Sequence, residues 1–135
     1  MNDTGRFRGG CFCGAVRFSI QPPTKWCAHC HCSMCRRAHG AGFVTWVGVA
    51  EDRFQIESGQ DSLRFFASSP EAKRGFCNTC GSTFLFQSTK WAGEMHVALA
   101  NVDGPIDREP QAHVYPKDKA SWIHVDDGLK WVEPS

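Results

Sequence analysis

No apolar run in this 135-residue chain approaches the roughly 20 residues that a membrane-spanning helix needs. That lack predicts a protein that does not cross a bilayer. Charge of one sign is also missing: the formal net charge is +1 and the pI is near 7.6. Nucleic acids and acidic membrane surfaces select clustered Lys and Arg, and only "AKRG" and "CRRAHG" offer any, so neither is the expected partner. The amino-terminal "MNDTGRFRGG" has no apolar signal core, which predicts a cytoplasmic protein. There is no internal repeat, low-complexity tract or linker, and the length suits one folding unit, so residues 1–135 are expected to form a single domain.

What the chain does have is cysteine and aromatic residues: eight Cys, ten Phe and five Trp. That many aromatic residues exclude a disordered chain. Short segments with apolar residues near period two recur between turn signals: "AVRFSI", "FVTWVGV", "RFQIES", "SLRFFAS", "STFLFQS", "MHVALA" and "AHVYP". Only Ser33 to His39 reads as helix. The expectation is a mainly antiparallel β fold with little helix.

In a reducing compartment, close cysteine pairs are metal ligands more often than disulfides. "CNTCG" (Cys77, Cys80) is a CxxC turn followed by glycine, and "CFCG" (Cys11, Cys13) is a second tight pair bounded by glycine. Two such pairs supply the four thiolates of a closed, tetrahedral structural zinc, here Cys11, Cys13, Cys77 and Cys80. The remaining cluster, "CAHCHCSMC", offers Cys30, Cys32 and Cys35 in CxCxxC spacing. Three protein ligands with one open position are the general form of a catalytic zinc. Cys27, His29, His31 and His39 are each placed where they could supply a fourth ligand and close the site. With both sites closed, the protein would be a non-catalytic, zinc-stabilised binding module.

Together, "GGCFCGAVRF", "CHCSMCRRAHGAGFVTWV", "RGFCNTCGSTFLF" and "EPQAHVY" resemble the glutathione-dependent formaldehyde-activating enzyme family, also called the centromere-protein V/formaldehyde-activating domain, over about residues 8–122. The resemblance implies a β-tent fold and two zinc ions per chain. It assigns a structural zinc to Cys11, Cys13, Cys77 and Cys80, and a catalytic zinc to Cys30, Cys32 and Cys35. It further implies a carbon–sulfur lyase that joins glutathione and formaldehyde as S-hydroxymethylglutathione, so the expected partners are a small thiol and an aldehyde. Arg36 and Arg37 are placed to offset an anionic zinc–thiolate centre or to meet a substrate carboxylate. His113 matches a family histidine and would be a base, a ligand-orienting group or a structural residue. Phe43, Trp46 and Trp122 are candidates for a pocket wall or for the core.

Overall fold

The computed structural model describes residues 5–134 and is mainly β. Strands β1 (Phe7–Gly10), β2 (Arg17–Ile20) and β5 (Phe54–Ser58) form a small antiparallel sheet in the order β1-β2-β5. The larger sheet contains β3 (Trp26–Cys30), β4 (Val44–Ala50), β6 (Leu63–Ser69), β7 (Ala72–Cys77), β8 (Thr83–Ser88), β9 (Glu94–Ala98), β10 (Ala112–Val114) and β11 (Lys130–Val132). Its order is β11-β10-β3-β4-β9-β8-β7-β6. The α-helix, α1, spans Ser33–His39 as the sequence predicts, and ends where Gly40 takes a left-handed conformation.

Alternation along the strands explains the core. Val16, Phe18 and Ile20 from the small-sheet region are buried, as are Val47 and Val49 of β4, Leu85 of β8 and Val97 of β9. The Phe18 and Phe84 rings stack at 5.8 Å within this core. A bridge from Gly9 to Val102 and the Asn101 amide donating to the Gly10 carbonyl at 3.0 Å tie the small sheet to the chain following β9.

The larger sheet is mainly antiparallel, as expected, with two parallel pairings at one edge. β10 lies parallel to β3, with His113 opposite His29, and β11 lies parallel to β10, with Trp131 opposite His113. This follows from connectivity: the chain leaves β9, crosses the face of the molecule, and returns on the free edge of β3 in the direction of that strand. Among the described residues, no helix is long and apolar enough to cross a membrane.

Candidate functional site

The first cysteine group sits where the loop after β1 meets the turn after β7. In each knuckle a glycine N–H closes back on the first cysteine: Gly14 donates to the Cys11 carbonyl at 3.2 Å, and Gly81 donates to the Cys77 carbonyl at 2.7 Å. Both glycines have positive φ, +83° and +82°, which a side chain rarely tolerates and which these turns require. The four sulfurs of Cys11, Cys13, Cys77 and Cys80 lie within 4.8 Å of one another. Cys11 and Cys13 Sγ are 3.8 Å apart, and Cys13 and Cys77 Sγ are 3.9 Å apart.

These separations fit zinc well. Four sulfurs at about 2.3 Å from a tetrahedral ion stand roughly 3.8 Å from each other. The backbone is arranged for negative sulfur, since Val16 N–H donates to Cys11 Sγ at 3.3 Å and Thr79 N–H to Cys77 Sγ at 3.4 Å. At Cys80, desolvation pushes the thiol up, but the Ser82 N–H and the neighbouring sulfurs outweigh it and bring the pKa down to about 6. This group could hold a metal ion, which would join the amino-terminal region to residues 64 positions further along the chain.

The second group is built by the end of β3 and the start of α1. Cys30 closes the strand, Cys32 occupies the N-cap and Cys35 is the buried residue of the helix. Cys30 and Cys35 Sγ are 3.7 Å apart, again the spacing of two ligands on one zinc. Cys32 interacts with both thiols. Their hydrogen bonds, with the Cys35 and Met34 N–H groups of the helix start, hold its pKa down to about 2 despite desolvation. The Cys30 and Cys35 thiols are shifted up as the other side of this proton sharing. Cys27 borders the same cavity; burial pushes its thiol up to about 11, and its charged neighbours are Arg108 and Asp107.

These three cysteines open onto a cavity of about 500 Å³ whose walls include Trp26, Trp46, Phe86, Trp91 and Tyr115. Arg74 reaches in from β7. Its guanidinium is buried, donates from Nη1 to Cys35 Sγ at 3.5 Å and lies 4.8 Å over the Phe86 ring, leaving Nε without a partner. Sequence reasoning singled out Arg36 and Arg37 rather than Arg74. Arg36 instead donates from Nη1 to the Asp118 carbonyl at 2.9 Å, and Arg37 is exposed. Arg74 could have been found only from its register opposite Phe86 in β8.

The histidines and aromatic residues divide between the two faces of the sheet. Trp46 lines the cavity, whereas Phe43 packs against His29 and His31 at ring distances of 5.1 and 4.9 Å. Trp122 is exposed at 64%. His113 is fully buried, with Nδ1 at 2.8 Å from His31 Nε2 and Nε2 at 2.9 Å from Asp127 Oδ2. It lies with the His29 and Phe43 cluster rather than in the cavity wall. His39 closes α1, its ring edge-on to Trp46 at 5.2 Å.

Known proteins resemble this chain in sequence and in fold. The sequence model of the family described as glutathione-dependent formaldehyde-activating enzyme matches residues 6–118. A Halomonas elongata protein, named as a candidate glutathione-dependent formaldehyde-activating enzyme, is 27% identical over 126 residues, covering 87% of this chain and 80% of that one. A Schizosaccharomyces pombe protein called an uncharacterized lyase is 31% identical over 138 residues, covering 93% and 96%. A crystal structure of a Rhodobacter sphaeroides protein shares the fold with a TM-score of 0.64 at 23% identity, covering 93% of this chain and 99% of that one. The knuckle spacing, the CxCxxC at a strand–helix junction and the match over residues 6–118 lead to one conclusion: the chain belongs to the glutathione-dependent formaldehyde-activating enzyme family.

Proposed function

We propose that this protein is a zinc-dependent carbon–sulfur lyase that joins a small thiol, glutathione in the family's pattern, to formaldehyde. The observation that carries the reading is the meeting of Cys30, Cys32 and Cys35 with the buried Arg74 in the wall of an apolar cavity. In this reading Cys11, Cys13, Cys77 and Cys80 hold a structural zinc, and Cys30, Cys32 and Cys35 hold a second one with a position left for substrate. A zinc ion at the second set would keep an incoming thiol deprotonated well below its free pKa of about 8.5.

The rest of the work falls to the chain. Trp26, Trp46, Phe86 and Trp91 keep water from the reacting sulfur and hold thiol and aldehyde at close range. Arg74 offsets the negative charge that three thiolates accumulate. In the forward direction the substrate sulfur forms one bond to the formaldehyde carbon, the carbonyl oxygen takes the proton the thiol gave up, and S-hydroxymethylglutathione leaves. The reverse reaction breaks the same carbon–sulfur bond.

Exchange spectroscopy with carbon-13 formaldehyde and glutathione tests this on zinc-loaded protein. The expected result is adduct exchange faster than the uncatalysed rate, lost in Cys32→Ser. An uncatalysed rate, together with zinc coordination that does not change when thiol is added, would return the protein to the class of zinc-stabilised binding modules.

A further inference from the structure

We propose that His29, His113 and Asp127 form a further metal site, specific for a divalent transition ion held by two imidazoles and one carboxylate, on the face of the main sheet opposite the thiol cavity. The ion would clamp the carboxy-terminal segment to that sheet. One ring nitrogen from each histidine and one Asp127 oxygen lie within 4.8 Å of each other. Donors on an ion at about 2.1 Å stand roughly 3.0–3.4 Å apart, and His113 Nε2 and Asp127 Oδ2 are already 2.9 Å apart.

The sheet register aims the two imidazoles. His29 and His113 are opposite one another on the parallel strands β3 and β10, so their rings lie side by side at 4.8 Å. Each ring is also held by its other nitrogen. Thr45 Oγ1 engages His29 Nδ1 at 2.7 Å, and His31 Nε2 engages His113 Nδ1 at 2.8 Å. That leaves Nε2 of both rings as the nitrogen available to a ligand, which is how the partners behind a metal site fix the tautomers of its histidines. Trp131 stacks on His113 at 4.2 Å and 12°, giving the site an apolar back wall.

A His113–Asp127 hydrogen bond accounts for those two residues, and the Thr45 bond leaves the other nitrogen of His29 free to join them at one ion. With metal on His113 Nε2 the proton shared with Asp127 leaves that nitrogen, the ring carries its one proton on Nδ1 in the bridge to His31 Nε2, and His31 takes a proton on Nδ1 in exchange. The donor set of two nitrogens and one oxygen suits zinc, iron(II), cobalt(II) or nickel(II) better than calcium or magnesium. Asp127 is exposed, so an ion has a way in. Asp127 lies just before β11, whose Lys130 and Val132 line the thiol cavity on the other face. Occupancy would therefore fix one wall of that cavity.

Equilibrium dialysis of zinc-loaded protein against buffered free zinc or cobalt(II), with the metal counted by mass spectrometry, tests the site. The wild type should take up one equivalent beyond its cysteine-bound zinc, and cobalt(II) there should shift and broaden the His29 and His113 ring signals. Asp127→Asn and His29→Gln should each weaken that equivalent by at least roughly 100-fold while the cysteine-bound metal is retained. Thr45→Val, which removes only the orienting hydroxyl, should weaken it about tenfold. The proposal is overturned if the wild type takes up no ion beyond the cysteine sites, or if the extra ion binds equally well to Asp127→Asn and His29→Gln. The exposed position of Asp127 makes its variant the one least able to disturb folding.

Discussion

Replacing Arg74 by methionine keeps most of the volume over Phe86 and removes the charge beside Cys35. At a separation near 4 Å and an effective dielectric of 20, one charge pair is worth about 4 kcal/mol, which is a ceiling. A hydrogen bond with one charged partner is worth about 1.5–3 kcal/mol net. With Nη1 at 3.5 Å from Cys35 Sγ, a long contact, about 2 kcal/mol is the reasonable share for the thiolate centre. That corresponds to a zinc affinity at Cys30, Cys32 and Cys35 weaker by roughly 30-fold. Arg74 lowers the Cys35 pKa, so its loss moves the thiol up and shifts the pH midpoint of zinc uptake upward. Competition with a chromophoric chelator across pH reads both effects. Arg74→Lys, which restores a charge without the planar fork, should recover part of the loss. If Arg74→Met holds its zinc within twofold of the wild type and its midpoint does not move, the guanidinium is a packing element and the electrostatic argument fails.

Removal of metal from the four-cysteine group, by strong chelation or by Cys77→Ser, should abolish cooperative thermal unfolding. Structural zinc contributes about 10–16 kcal/mol, comparable to the whole ~5–15 kcal/mol by which a domain is stable; an unchanged melting curve under chelation would count against a structural ion. Gly81→Ala meets no atom within 4 Å but must hold φ at +82°, so it should cost about 1–2 kcal/mol and lower Tm by roughly 3–8 °C in calorimetry. His39 is held down to about 4 by burial and then by the nearby Arg74 charge, so the folded state prefers its neutral form. Stability is therefore full above pH 6.5 and declines as pH falls toward 4. In His39→Gln that decline, read by urea unfolding between pH 7 and 5 at fixed zinc, should shrink by up to about 2 kcal/mol.

What the sequence disclosed depended on how far apart the interacting residues are. The bounds of α1 and the pairing of Cys11 and Cys13 with Cys77 and Cys80 were readable because short spacings and the following glycines restrict what each pair can reach. β3 was hidden because "WCAHC" reads as ligand chemistry rather than as alternating strand. β7 was hidden because "EAKRG" looks like a turn. Arg74 acquires meaning only from its neighbours across β6 and β8. The association of His29, His113 and Trp131 depends on two parallel pairings, of which the one between β3 and β10 joins segments some 80 residues apart and leaves no local pattern.

On β3, Cys30 faces the cavity while His29 and the following His31 face the opposite side, so five or six residues carry two separate chemistries on alternating positions. Inserting or deleting a single residue between Trp26 and His31 would rotate the whole set, presenting imidazole to the cavity and sulfur to the aromatic layer behind. Substitutions here disable one face at a time, whereas a shift in length exchanges both. This segment should therefore vary among functional relatives in side chains but not in residue count.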